Sequence, residues 1–257
     1  MGILNITPDS FSDGSQYNTQ ELAYQRALKM KEVGVDILDI GGESTRPGAK
    51  NVSVQEEIDR VIPIISKIKS LDVSISIDSN KPEVMEAAVL AGANLINDVR
   101  ALQNEGAIEM AAKLQVPVCL MHMQGLPQNM QNAPNYSDVV TQVQDFLVQR
   151  IKQCQSAGID KSLISIDPGF GFGKKLSHNL ELLSRLEEFS ELEVPILVGL
   201  SRKSMLGEIT GQPVSKRLAA SLAVSQIAMQ KGARIIRVHD VEETNDLRQV
   251  FMAMKDL

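Results

Sequence analysis

Gly232-Ala233-Arg234-Ile235-Ile236-Arg237-Val238-His239-Asp240 reads as a glycine that ends a helix, a short linker, and an apolar run that stops at polar residues. The same unit occurs at Gly34-Val35-Asp36 before Ile37-Leu38-Asp39-Ile40, at Gly92-Ala93-Asn94 before Leu95-Ile96-Asn97-Asp98, and at Gly158-Ile159-Asp160 before Leu163-Ile164-Ser165-Ile166-Asp167. Glycine suits each helix end because it takes the left-handed conformation without a Cβ penalty. Further strands are predicted at Ile3–Ile6, Val73–Asp78, Val116–His122 and Ile196–Leu200, for a total of eight. Helices are predicted between and after them over Thr19–Val33, Val54–Ser70, Pro82–Ala91, Glu105–Leu114, Ser137–Ala157, Asn179–Leu192, Ser215–Lys231 and Glu242–Met254. Eight βα units with near-continuous apolar strands predict an α/β fold, a single (β/α)8 TIM barrel over residues 1–257. The competing architecture is a doubly wound open sheet, which would gather its polar residues at one switch point. Here polar residues end nearly every strand. In a barrel those ends share one mouth, so Asn5, Asp39, Asp78, Asn97, His122, Asp167, Lys203, Arg237 and His239 are expected to converge there.

Composition narrows the function classes. Of the 257 residues, 43% are hydrophobic and 23% charged, with no long apolar run, which describes a soluble globular chain and not a membrane or disordered one. A net charge of -6 argues against duplex nucleic acid as a partner, so any anion site must be local. Cys119 and Cys154 have neither metal-ligand spacing nor a disulfide framework, and Met1-Gly2-Ile3-Leu4-Asn5 does not open a secretory signal. Cytoplasmic residence is the expectation that follows.

Two constellations carry chemistry. Ser74, Ser76 and Asp78 alternate with Ile75 and Ile77, so they share one strand face and Asp78 is aimed into the mouth. Asn97 and Asp167 hold matching positions at the ends of strands four and six. Two carboxylates and an amide around a confined pocket suit a neutral ring rich in N–H donors, such as an aminopyrimidinone edge. The second constellation is cationic: Ser201-Arg202-Lys203-Ser204 after strand seven, and Arg237 with His239 two residues on. Barrels often bind phosphate after strands seven and eight, and both Arg237 and His239 can donate to phosphate oxygens.

Three loops supplement these groups. Asp167-Pro168-Gly169-Phe170-Gly171-Phe172-Gly173-Lys174 lacks the Gly-Lys-Ser/Thr ending of a phosphate loop; its glycines allow a sharp turn beside a ligand, with Phe172 available to cover a planar ring. Asn5-Ile6-Thr7-Pro8-Asp9-Ser10-Phe11-Ser12-Asp13-Gly14 is dense in oxygen-bearing side chains, as suits a Mg2+-assisted loop, with Asp13 as a catalytic candidate. Gly41-Gly42-Glu43-Ser44-Thr45-Arg46-Pro47-Gly48 adds a hydroxyl and a guanidinium where an anion or carboxylate can approach.

Taken in order, the Asn5–Gly14, Gly41–Gly48 and Asp167–Lys174 segments, Ser201-Arg202-Lys203-Ser204 and Arg237-Val238-His239-Asp240 resemble the motifs of the dihydropteroate synthases, across essentially the whole chain. The resemblance implies condensation of 6-hydroxymethyl-7,8-dihydropterin diphosphate with para-aminobenzoate, in a pterin-binding barrel that functions as a homodimer without nucleic acid or membrane. It implies that Asp78, Asn97, Asp167 and Lys203 hold the pterin, with Met121 and Phe172 lining it. Asn5 would bind Mg2+. Thr45, Arg237 and His239 would meet the diphosphate, with Arg237, His239 and Lys203 among the catalytic groups. Phe11, Arg46, Pro47 and Ser204 would frame the aminobenzoate, a pocket open to sulfonamide mimicry. The dimer face is expected around Leu218–Ala228. Two departures stand out. The family usually carries a further segment beneath the barrel before the first strand, so the floor here is expected to be less closed. Asp78-Ser79-Asn80-Lys81-Pro82 also differs from the commoner form after the aspartate. A pterin-dependent methyltransferase, a Schiff-base aldolase using Lys203 and a non-catalytic pterin-binding protein are the alternatives.

Overall fold

The structure, a computed structural model, describes residues 1–7, 16–44, 51–125, 130 and 134–255, with the backbone alone for 16–19. Its strands are β1 (Gly2–Asn5), β2 (Ile37–Gly41), β3 (Ser74–Asp78), β4 (Leu95–Asp98), β5 (Val118–Met121), β6 (Ile164–Asp167), β7 (Ile196–Val198) and β8 (Ala233–Ile236). They pair in parallel in chain order. The ring closes where Gly2 bridges Val238: the Ile3 N–H donates to the Val238 carbonyl at 2.9 Å, and the Val238 N–H to the Met1 carbonyl at 2.9 Å. The expected parallel barrel is the observed one.

Around it run α1 (Gln16–Glu32), α2 (Val54–Ile68), α3 (Pro82–Ala91), α4 (Ala107–Leu114), α5 (Val139–Ser156), α6 (Leu176–Ser184), α7 (Ser204–Thr210), α8 (Leu218–Gln230) and α9 (Val241–Lys255). Two differences from the expected pattern have local causes. The helix expected over Asn179–Leu192 ends at Ser184 and continues as a 3-10 turn over Leu186–Leu192. Leu186, Phe189 and Leu192 are buried at intervals of three, which lines them up on one face of a three-residue turn. The short α7 was not expected; its apolar pair Met205-Leu206 is buried, and Gly211 in the left-handed region ends it.

Strand alternation sorts the side chains into two cores. Leu4, Leu38, Ile40, Ile75, Ile77, Ile96, Val118, Leu120, Ile164, Ile166, Ile196 and Val198 join the main cluster between sheet and helices. The opposite parity faces the barrel axis, where Met1, Leu95, Cys119 and Leu197 cluster with Ile37 and Ile235. These apolar side chains plug the axis towards the lower end of the barrel, while Met1, Ile37 and Ile235 also line a cavity that opens beside them. Two residues further along the same strands come Asp39, Asn97, Met121, Gly199 and Arg237. The inside of the barrel therefore changes from apolar to ionic within one side-chain layer, roughly 6–7 Å of strand.

That plug is the floor of any site above it. Leu197→Ala should cost about 2–5 kcal/mol, the usual range for a truncated core leucine. Urea unfolding should show a lower midpoint with an unchanged slope.

Candidate active site

Arg237 stands at the centre of the ionic layer. Its Nε donates to Asp39 Oδ2 at 2.6 Å and its Nη2 to Asp78 Oδ2 at 2.7 Å, while Asn97 Nδ2 donates to Asp39 Oδ2 at 3.3 Å. Burial opposes the guanidinium charge, but Asp39 and then Asp78 outweigh it, and the pKa of Arg237 is raised. The Asp78 carboxyl is pushed up to about 7 by burial, against the pull of Arg237 and with the Asp39 carboxylate adding to the rise. Asp39 Oδ1 and Ser76 Oγ are buried without a partner among the described residues, on register neighbours of β2 and β3. Gly41 lies between Asn5 and Asp78 in the sheet, and a Cβ there would stand 3.3 Å from Asn5 Oδ1 and 3.7 Å from Asp78 Cβ. The missing side chain leaves those two groups in one open space.

The opposite wall is the loop after β6. Asp167 is buried and accepts the Gly169 N–H at 2.7 Å; burial raises its pKa and Lys203 opposes the rise. Lys203 donates to the Phe170 carbonyl and lies 4.6 Å above the centre of the Phe172 ring. Burial lowers its pKa to about 8, with Asp167 pulling the other way. Phe170 is buried, whereas Phe172 is half-buried beside the mouth. Lys174 is 3% exposed and donates to the carbonyls of Gly169 at 2.9 Å and Phe172 at 3.1 Å. Its Nζ also stands 2.9 Å from His122 Nδ1, which ties the loop to the end of β5. Gly169 is required twice over: its φ is +73°, and a Cβ would fall 1.8 Å from the His122 carbonyl.

His122 departs from the expected convergence. It follows the inward-facing Met121, so its ring turns outward, packing edge-on against Phe146 of α5 at 5.0 Å and near Tyr136. Burial, with Lys174 second, drives its pKa down to about 2. Arg202 also leaves the cationic group, its Nε donating to Asp240 Oδ2 at 2.9 Å. His239 stays at the mouth, beyond the end of β8, pushed down to about 4 by burial and then by Arg237 and Arg202. Met121 is buried, and Ser204 is exposed as the first residue of α7. Phe11, Asp13, Thr45, Arg46 and Pro47 lie outside the described residues. Among the described residues no cluster of three His, Cys, Asp or Glu side chains is placed to hold a metal.

Comparison with known proteins turns this geometry into a family assignment. The profile of the pterin binding enzymes matches residues 1–239. The dihydropteroate synthase of Escherichia coli K12 is 52% identical over 254 residues, which are 98% of this chain and 90% of that protein. The chain belongs to the dihydropteroate synthase family. A solved structure of Xanthomonas albilineans dihydropteroate synthase with 4-aminobenzoic acid superposes with a TM-score of 0.95 at 51% identity, covering 100% of this chain and 93% of that one. A Yersinia pestis dihydropteroate synthase in complex with a sulfonamide drug gives 0.95 at 50% identity, covering 100% and 94%.

Within the family frame, two residues of the described site had no role from their sequence context. Asp39 was placed at the mouth by its strand position alone; the signal for more was a charged residue inside Ile37-Leu38-Asp39-Ile40, a run otherwise apolar. Lys174 closes the glycine-rich segment and carried no role of its own in the sequence reading. Its burial against backbone carbonyls has no sequence signature. Gly169→Ala is expected to lose more stability than the roughly 1–2 kcal/mol of a left-handed alanine, because the His122 carbonyl must also move. Thermal unfolding should show this loss, alongside a weakened contact between the ends of β5 and β6.

Proposed function

We propose that the chain condenses 6-hydroxymethyl-7,8-dihydropterin diphosphate with para-aminobenzoate, releasing diphosphate and forming 7,8-dihydropteroate for folate biosynthesis. The observation that carries this reading is the ionic layer itself. Asp78, Asn97 and Asp167 stand at the ends of their strands above the apolar cluster on the barrel axis, with Arg237 and Lys203 among them. An aminopyrimidinone ring offers the N–H donors that buried carboxylates and an amide oxygen require. Lys203, 4.6 Å over the Phe172 ring, and Phe172 itself would close over its plane, and buried Met121 would line it.

The chemistry asks for positioning and charge stabilisation, with no protein nucleophile. The bond from the methylene carbon to the diphosphate oxygen breaks and its electron pair leaves with the diphosphate. The electron-rich dihydropterin spreads the positive charge left behind. The aminobenzoate nitrogen then gives its lone pair to that carbon and loses a proton. Arg237 engages its carboxylates through Nε and Nη2, so Nη1 is the nitrogen left to donate to an anion, and His239 would supply a second donor. Asn5 fits a Mg2+ role on its donor chemistry: a neutral amide oxygen beside Gly41 suits an ion that keeps its waters and takes phosphate oxygens. Bound there, Mg2+ would neutralise charge on the leaving diphosphate.

Two further readings belong to the same proposal. Ala219, Ala223 and Ile227 stand exposed at four-residue intervals on α8, an apolar stripe that suits a homodimer interface. No helix of the described residues is long and apolar enough to cross a membrane, and Cys119 and Cys154 are free and buried, which fits the cytoplasm. Sedimentation of the wild type should give a dimer, and Ile227→Asp should shift it to monomer.

Calorimetric titration with the pterin diphosphate, with and without Mg2+, followed by aminobenzoate and detection of product, tests the activity. Arg237→Ala and His239→Ala should each cost roughly 2–4 kcal/mol of transition-state stabilisation, about 30- to 1,000-fold in kcat/KM. Asp167→Asn should chiefly weaken pterin binding. Failure of the wild type to release diphosphate when both substrates are present would sink the reading.

A further inference from the structure

His239 is a donor in the proposed reaction only if its proton sits on the nitrogen that faces the mouth, and the structure contains the group that decides this. Ser201 follows Leu200 just past β7 and is 6% exposed. Its Oγ has two partners among the described residues, both on His239: it accepts the backbone N–H at 3.2 Å and stands 3.0 Å from ring Nδ1. A hydroxyl carries one proton. With the backbone N–H occupying a lone pair, that proton has Nδ1 as its acceptor. If Nδ1 were protonated instead, both hydrogen bonds would point at Oγ and the buried hydroxyl proton would have no partner, which disfavours that tautomer.

The turn around Ser201 is fixed by groups other than the ligand. Arg202 adopts φ +57°, a left-handed conformation unusual for a non-glycine residue. Its N–H donates to Ser221 Oγ at 3.0 Å, its guanidinium pairs with Asp240, and Arg217 Nη1 donates to the Arg202 carbonyl at 3.1 Å. Asp240 adjoins His239 and Arg202 adjoins Ser201, so the same ion pair joins the residues that flank the hydroxyl and the ring. The strained turn turns Arg202 aside and leaves Lys203 to reach the Phe170 carbonyl on the other side of the mouth. The shift of the imidazole pKa to about 4 is consistent with a ring carrying a single proton at neutral pH.

We infer that Ser201 is a positioning residue: it holds His239 in the Nε2–H tautomer, so that the ring presents a donor to the leaving diphosphate. The inference rests on the proposed reaction for its purpose but on the Ser201 and His239 geometry for its content. His239 then helps by hydrogen bonding, and it transfers no proton to the diphosphate.

The chain has three histidines, so nitrogen-15 labelling of the imidazoles gives three spin systems that His122→Gln and His178→Gln assign by elimination. In the wild type at neutral pH, His239 should show a protonated Nε2 and an unprotonated Nδ1. Ser201→Ala should mix the two tautomers and lower kcat about tenfold, the loss of roughly one hydrogen bond, with little change in KM for aminobenzoate. Ser201→Thr, which keeps the hydroxyl, should restore both the tautomer and the rate. A protonated Nδ1 in the folded wild type, or a Ser201→Ala protein that keeps both tautomer and rate, overturns the inference. If the wild type shows the Nε2–H ring but makes no dihydropteroate, the reaction assignment fails and the tautomer assignment stands.

Discussion

The shared hold of Arg237 on Asp39 and Asp78 is the constraint around which the interior is arranged. Three strands contribute to it, and none of the three groups is tolerable alone at that depth: an unpaired buried charge still costs several kcal/mol after relaxation. The guanidinium meets the two carboxylates through different nitrogens, which fixes its plane as a lysine ammonium would not. Burial pushes Asp78 up to about 7 against the pull of Arg237, and with two anions to one cation the Asp39 carboxylate adds to that rise while it keeps the arginine charged. The barrel thus stores a surplus of acceptor character at the base of its mouth. A neutral ring with several N–H donors can use that surplus without bringing a counter-charge.

The fold was legible because its signals are repetitive. Glycine at a helix end followed by an apolar strand occurs often enough that an error at one unit does not change the count, and strand parity then sends Asp78, Asn97 and Asp167 inward. The sequence logic was weakest where tertiary geometry takes over from period. The Leu186–Leu192 segment carries helical residues but packs with a spacing of three, so it leaves the α-helix. His122 shows how close the margin is: it lies one residue past Met121, and in a strand one residue reverses the face. Strand parity reaches Arg237 and His239 although β8 proper ends at Ile236, because the bridge at Val238 carries the alternation two residues further.

The site was legible as a list of groups and not as a network. Nothing in the local sequence indicates that Arg202 and Asp240 pair across two loops, or that Ser201 addresses a ring that lies 38 positions away. Such links depend on β7 and β8 being neighbours in the closed ring, which is known only after the topology is. The same holds for the loop after β6, whose glycines announce a turn but whose shape is decided by the carbonyls they allow to approach.

Lys174 gives that loop an unusual property. A buried amine gathers the carbonyls of Gly169 and Phe172 and the ring of His122 around one nitrogen, so the segment is folded onto an internal hub and not onto a ligand. A planar ring bound as proposed between Asp167 and Phe172 would therefore find one side of its berth already assembled. Little conformational entropy remains to be lost on that side, so contacts made there count almost fully toward affinity.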